Sequence, residues 1–501
     1  MSPGGADAGN PPGLPVGDML QSRAMHRRVQ PLAALLMPFL LVAGCATRTG
    51  TAPAPTRTGD AIAAWPTGVD LPALERRIDA HLRFLASDAL HGRGSGTRDE
   101  WIAATYIGAQ LAALGLEPMG DDGWFVQEIG VQRLRAEKPP VLTAGERTFT
   151  RGQGFTVNSV PGPRVGGPLH HYAAGATFPA GAAVILPADT PMAALSNVSA
   201  AALVLRRAPA RASGAPTPPT VPVTSSQLVG VPPGQPAGPT LVTLDAAAHD
   251  AIFAMASGTT VRLDSELTPA ERTKTWNAVG RLAGTDPSAS AEVLVISAHL
   301  DHVGTRPSAD GSVADTIYNG ADDDASGVVA VLELARALST GPRPRRPVVF
   351  ALFGSEEAGG FGARYFVEKP VIPLTDIVAD LQVEMIGRPD PKVPAGTLWL
   401  TGYERSSLGA QLAAQGARLV QDPHPDQRFF ERSDNIRFAR RGVVAHTVSS
   451  FGLHKEYHQP SDEVRHINVA HMRDAIASLV EPVRWLATTT DKPAWVEGMK
   501  P

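Results

Sequence analysis

Five short pieces of the chain, far apart in sequence, carry residue types that suit two metal ions and a carboxylate able to move a proton. They are His299 in SAHLDH, Asp323 in GADDDASG, Glu356 and Glu357 in FGSEE, Glu384 in LQVEMIG and His458 in EYHQPSDE. A catalytic zinc takes neutral imidazole and carboxylate ligands and keeps one position open for water, and a two-metal site needs a group that bridges. One histidine and one terminal carboxylate for each ion, with a shared aspartate, is the smallest economical set. The chain supplies that number, and the chemistry it implies is metal-assisted hydrolysis.

Each piece has a physical reading of its own. His299 closes the apolar run VLVISA, and Asp301 or a nearby backbone oxygen can fix its second ring nitrogen; the adjacent His302 reads as a bystander. Three consecutive acids in GADDDASG repel one another and are costly near a core unless a cation compensates. The plainer alternative is a solvated turn with Asp324 capping the next helix; the middle residue, Asp323, is the choice for the bridge. Glu356 and Glu357 follow the apolar run VVFALFG, so one of them should bind metal while its neighbour acts as general base. Glu384 is flanked by Leu381, Val383, Met385 and Ile386 and needs a partner. Pro460 argues against a helix around His458. A rival pattern, His454 and His458 with Glu456 between them, is faintly like the HExxH helix of single-zinc proteases. Its glutamate is misplaced, and Gly452 and Pro460 frame a loop.

The elements that must position these residues follow from periodicity. After Thr275, strand candidates at 293–298, 348–354, 377–386, 397–401 and 443–448 alternate with helical patterns at 326–338, 406–417 and 469–486, the last with Asn468 as N-cap. That alternation predicts an α/β fold, a mixed and largely parallel sheet with helices on both faces. In such sheets a site lies beyond the carboxyl ends of the strands, where His299, Glu356 and Glu357 fall. Upstream, Leu74, Ile78, Leu82 and Leu85 repeat at helical spacing. Thr97 with Glu100 predicts a capping box before a second helix with Ile102, Tyr106, Ile107, Leu111 and Leu114 on its apolar face, stopped by Gly115. Between residues 131 and 268 short β-branched runs such as AAVILPA and AALVLRR alternate with Pro, Gly, Ser and Thr clusters. This predicts a small β-rich inserted domain with a binding or shielding role, since it holds no dense set of His, Asp or Glu.

At 501 residues, two or three units are expected. The chain is 43% hydrophobic and 19% charged with a net charge of −4, so no electrostatic argument points to nucleic acid. Gly 49 and Pro 45, almost a fifth of the chain, imply many loops. His26, Arg27 and Arg28 precede an apolar stretch at 32–42, too short to span a bilayer, and the small residues Ala43 and Gly44 lead to Cys45, the sole cysteine. The order LVAGC resembles a bacterial lipobox. It implies a lipoprotein signal at 25–44 and a lipidated Cys45 that contacts the membrane, with Met25 or Met19 as the true start and 1–24 as an upstream extension. Residues 45–66 read as a flexible tether, 67–130 and 269–490 as the main domain, 131–268 as the insertion and 491–501 as a tail. The expected location is the cell envelope, lipid-anchored and periplasm-facing, or else periplasmic or secreted.

With the motifs in hand, the chain from about residue 70 to 486 resembles the co-catalytic dizinc aminopeptidases, the family that includes bacterial leucyl aminopeptidases and glutamate carboxypeptidase II. SAHLDHVG, NGADDDASG, GSEE, VEMIG and YHQPSDE stand in that family's order with compatible spacing, and the insertion resembles a protease-associated domain. The resemblance implies two Zn2+ per chain. One is held by His299 and Glu384 and the other by Glu357 and His458, with Asp323 bridging, Glu356 as base and Asp301 steadying a ligand. It implies hydrolysis of peptides next to a free N-terminus. A dipeptidase or carboxypeptidase, using Arg388 or Arg432, and an aminoacyl cyclotransferase with one zinc are the alternatives on the same fold; a non-catalytic binding protein is disfavoured. Two departures stand out: Glu384 where most relatives have Asp, and Phe430 where some place a tyrosine near Ser433 and Asp434.

Overall fold

The structure, a computed structural model, describes residues 69–188, 190, 198, 201–208, 223–232, 239–306, 315–394 and 396–501. The proposed signal at 25–44, Cys45 and the tether lie outside the described residues. Among the described residues no helix is long and apolar enough to cross a membrane.

The run VLVISAH is buried along its whole length, and so is VVFALF, which requires cover on both faces of a sheet. The sheet's strands are β1 (Val126–Ala136), β2 (Thr224–Leu228), β3 (Leu267–Leu282), β4 (Val293–His299), β5 (Val348–Phe353), β6 (Ile377–Val383), β7 (Leu398–Leu400), β8 (Leu419–Gln421) and β9 (Ala445–Ser449). They lie in the order β8-β7-β9-β6-β4-β5-β3-β1-β2, with the short strand Glu117–Pro118 beside β3. The middle four, β5, β4, β6 and β9, run parallel. The flanks do not: β3 is antiparallel to β5 and to β1, β1 to β2, and β7 to β9. The sheet is thus mixed, and the expectation of a largely parallel one holds only for its centre, where helical crossovers connect the strands.

Helices cover both faces, as expected. On one, α1 (Leu71–Leu85), α2 (Arg98–Ala113), α4 (Gly327–Thr340), α6 (Leu408–Ala414) and α8 (Val469–Thr488) pack Ile78, Ile107, Val331 and Leu479 onto Leu294, Ile296 and Leu352. On the other, α5 (Phe361–Glu368) and α7 (Asn435–Ala439) bring Phe366 and Phe438 against Val295 and Phe353. Leu74, Ile78, Leu82 and Leu85 are all buried, and the Asn468 side chain accepts the His471 N–H as an N-cap should. The 491–501 segment docks on the main domain: Trp495 Nε1 donates to the Gly442 carbonyl, and Ser407 N bonds Ala494 O.

The insertion is a closed eight-stranded barrel rather than loose strands. Around the closure run Thr240–Leu244, Gly154–Thr156, Arg147–Arg151, Val141–Ala144, Thr260–Asp264, Arg164–His171, Ala183–Ile185 and Leu203–Arg207. Leu142, Phe155, Leu169, Ile185, Leu205 and Val261 fill it, and α3 (Ala246–Phe253) packs Ile252 onto the same cluster. Its limits are narrower than 131–268. Strand β1 pairs along its whole length with residues 267–278 of β3 as a ribbon of the main sheet, and β2, from within the insertion, pairs with β1 there.

Candidate metal centre and active site

Three parallel strands end together, and their ends carry the chemistry. His299 is the last residue of β4, Glu356 and Glu357 follow β5, and Glu384 follows β6. The backbone turns sharply after β5 and β6 and again at His458. Ser355, Met385 and His458 all have φ of 52°, a left-handed conformation that costs a side-chain-bearing residue about 1–2 kcal/mol. Local bonds offset the cost at two of them: Ser355 N donates to Glu100 Oε1 at 2.7 Å and Met385 N to Asp324 Oδ1 at 3.0 Å.

Asp323 stands at the centre. Its Oδ1 lies 3.1 Å from His299 Nε2, and its Oδ2 lies 3.1 Å from His458 Nε2. His458 Nε2 is also 3.0 Å from Glu357 Oε1. Two donor sets result, His299 with Asp323 and Glu384, and His302 with Asp323, Glu357 and His458, each with its ligand atoms within 4.8 Å of one another. His299 Nε2, His302 Nδ1 and Glu357 Oε1 are buried yet have no hydrogen-bond partner, despite these short separations. Orphaned buried polar atoms each cost about 1–3 kcal/mol. Imidazole and carboxylate atoms converging on common points fit zinc, and a cation there removes that cost. Every sequence-selected donor is therefore in one place.

The electrostatics agree with a cation-binding role. Burial acts to lower the pKa of His458, but Asp323 and Glu357 outweigh it and push it up to about 10. His299 is raised well above the usual range for the same kind of reason, burial being overcome by Asp301 and Asp323. Glu356 is raised well above the carboxylate range by burial, reinforced by Asp434, Glu384 and Glu357 and opposed by His299. A raised carboxyl pKa makes Glu356 a stronger base once it is ionised.

The acids around the centre divide their tasks. His299 Nδ1–H donates to the backbone carbonyl of Asp301, not to its carboxylate, which is 3.8 Å away. The Asp301 carboxylate accepts instead from Glu356 N at 2.9 Å and from Ser95 Oγ, and so braces the loop that carries Glu356. Asp324 accepts from Gly327 N at the start of α4 and also gathers Met385 N and His299 N, but the acidic turn is buried and not solvated as the plainer reading expected. Gly327 is needed there, because a Cβ would fall 2.2 Å from Val383 O. Asp322 accepts from Gly387 N and lies 2.9 Å from His454 Nε2. His454 is thus committed to Asp322, Glu456 bonds Arg388, and neither lies in a helix, so the single-zinc helix pattern is not formed.

Sequence reasoning missed several residues. His302, set aside as a bystander, has no exposed surface and lies 2.9 Å from Glu357 Oε1; the second imidazole of HLDH was the available signal. Glu100 does not close a capping box: Thr97 caps α2, while the Glu100 carboxyl turns inward to Gly96 N, Thr275 Oγ1 and Ser355 N. Asp462 accepts from the amides of Asp322 and Asp323 and fixes the acidic turn. Phe430 points away from the site, packing on His446 and Trp495. The phenol near the centre is Tyr457, whose ring stacks on His458 at 4.0 Å. Tyr457, Trp399, Phe429 and Phe451 line a cavity of 40 Å³ beside Glu384. A larger cleft of 620 Å³ lies between barrel residues such as Val157 and Arg206 and the turn at Ala358 and Gly359 that follows the paired glutamates.

With this geometry, residues 277–481 match the model of Peptidase family M28. That match spans every candidate ligand and the base, whereas the barrel and the first two helices lie before it. Among curated proteins, a "Probable lipoprotein aminopeptidase LpqL" of Mycobacterium tuberculosis is 34% identical over 134 residues, 26% of this chain and 23% of that protein. "Leupeptin-inactivating enzyme 1" of Streptomyces exfoliatus is 34% identical over 118 residues, 23% of this chain and 24% of that enzyme. The chain therefore spans about a quarter of the length of these relatives. Among solved structures, an aminopeptidase from Aneurinibacillus sp. is 18% identical with a TM-score of 0.48, over 83% of this chain and 95% of that one.

Proposed function

We propose that the chain is a zinc-dependent exopeptidase of the M28 family that removes the N-terminal residue from peptides at a dinuclear centre. The observation that carries this reading is the orientation of Asp323, whose two oxygens face His299 on one side and His458 on the other, as a bridging carboxylate requires. His299 and Glu384 would hold one ion, and Glu357 and His458 the other. Zinc bound there supplies Lewis acidity, making water acidic near neutral pH and polarising a carbonyl group. Glu356 takes a proton from the attacking water and returns it to the leaving amine. Tyr457 is the protein's own hydrogen-bond donor for the carbonyl oxygen as charge develops on it. The cavity beside Glu384, with aromatic and polar walls, receives the substrate's first side chain, and the cleft against the barrel receives the chain beyond it. The Glu356 and Glu384 carboxyl oxygens can accept hydrogen bonds from a free α-amino group.

The deciding experiment uses a panel of aminoacyl chromogenic substrates with and without chelator, with zinc added back, alongside metal analysis. Activity that survives complete metal removal would end the reading. Of the alternatives, a carboxypeptidase needs a free cation for the substrate carboxylate, and Arg388 is already bonded to Glu456 at 2.8 Å, which leaves Arg432 to supply it. An aminoacyl cyclotransferase is separated by one metal per chain and by cyclised product. The motif at Cys45, and the word lipoprotein in one relative's name, favour a lipid-anchored place in the cell envelope. Labelling with a radioactive fatty acid, lost in Cys45→Ser, tests it.

A further inference from the structure

We infer that the two metal positions are unequal: His302 completes a closed, four-donor position with Asp323, Glu357 and His458, whereas His299, Asp323 and Glu384 form a three-donor position left open for water and substrate. The inference rests on the dinuclear reading above and adds to it a ligand and a division of labour.

His302 has no exposed surface, and neither of its ring nitrogens has a hydrogen-bond partner. Burying an imidazole in that state is costly, and no acceptor or donor among the described residues offsets it. Its Nδ1 lies 2.9 Å from Glu357 Oε1 without the direction of a hydrogen bond, and 3.7 Å from Asp323 Oδ2, too far for one. Lone pairs that pass beside one another at such distances point to a common third atom, the relation between ligands of one ion.

The ring is also held for that purpose. His302 N donates to the Arg93 carbonyl at 3.1 Å, and the buried Arg93 guanidinium binds the carbonyls of Leu300, Asn319 and Gly320, which flank the two donor-bearing turns. Gly320 lies against the ring with φ of 60°, and a Cβ there would fall 2.5 Å from His302 Cγ. Replacing that glycine would push the imidazole out of place. Four protein donors close a tetrahedral zinc position, as in structural sites, while three leave the fourth position free, as in catalytic sites. The ion beside His302 is then the retained one, and the ion beside His299 and Glu384 exchanges first.

The test is stepwise removal of zinc from the full chain with increasing dipicolinate, read as metal content and by zinc X-ray absorption. Wild type is expected to lose one equivalent at a chelator concentration about tenfold lower than the second, the scale on which a ligand or its support alters affinity. The half-depleted protein should show two imidazoles on its remaining zinc. One imidazole on that ion, or simultaneous loss of both equivalents, overturns the inference without touching the dinuclear reading. A wild-type protein that binds no transition metal overturns both. His302→Phe and His302→Gln should merge the two steps, with circular dichroism unchanged. An unaltered two-step profile in a folded variant would make His302 a packing residue only.

Discussion

Asp323 carries the most demanding role of any single residue. It is buried between three imidazoles, and they hold its pKa well below the usual range although burial acts to raise it. The raised pKa values of His299 and His458 mean that an entering metal must displace protons from the rings. Apparent zinc affinity should therefore rise with pH, by about tenfold per unit for each proton displaced. Competition titrations against a fluorescent indicator between about pH 6 and pH 8 check this, and an affinity independent of pH would contradict it. Glu356→Gln removes the base but none of the proposed ligands. It should keep full metal content while turnover falls by about 10²–10⁴. Near-normal turnover in that variant would take Glu356 out of the mechanism.

At the scale of elements, α2 reaches the base-bearing turn through Glu100. Burial, and then repulsion from Asp301, push the pKa of this carboxyl well up, yet it accepts the Ser355 amide and the Thr275 hydroxyl. Glu100→Ala leaves those donors unmatched and should cost about 2–4 kcal/mol of unfolding free energy. Hydrogen exchange should show the Ser355 amide losing protection first. Strand β9 is tied to β7 by His446, whose Nδ1–H donates to Thr401 O at 2.7 Å while its Nε2 lies 2.7 Å from Ser406 Oγ. Burial lowers its pKa to about 4. The unfolded chain takes up this proton near pH 6.5 and the fold resists it. Stability from His446 is thus complete above about pH 6.5 and declines toward pH 4, by roughly 3 kcal/mol at most. Urea midpoints across that range should fall less steeply in His446→Gln.

For the whole molecule, the candidate ligands come from β4, the turn before α4, the loops after β5 and β6, and the loop at His458, so metal binding would be a cross-link between distant parts of the chain. An ion that binds the folded state and not the unfolded one adds about 4 kcal/mol when its concentration is a thousandfold above its Kd. Chelation should therefore lower Tm by several degrees, and zinc should restore it, as calorimetry would show. An unchanged Tm would mean that the donors converge without an ion. The barrel is joined to the sheet through the β1–β3 ribbon and β2, so it should not melt as an independent unit.

The sequence by itself determined the central strands, the helices α1, α2, α4, α6 and α8 that cover one face, and five of the six side chains that meet at the candidate centre; α5 and α7 on the other face had no reading of their own. Apolar runs that end in acids or histidine are both the buried strands and the places where polar groups must gather, and residues 293–299 and 348–357 carry that information locally. It did not determine the closure of the barrel, the antiparallel flanks, the inward turn of Glu100 or the approach of His302 to Glu357. Each of those depends on which segments meet across long stretches of chain, as Glu100 meets Ser355, and a capping pattern or an extra histidine has the same spacing whichever way its side chain turns. Tertiary packing selects the direction, because a buried charge or imidazole takes the orientation in which its polar atoms are best satisfied.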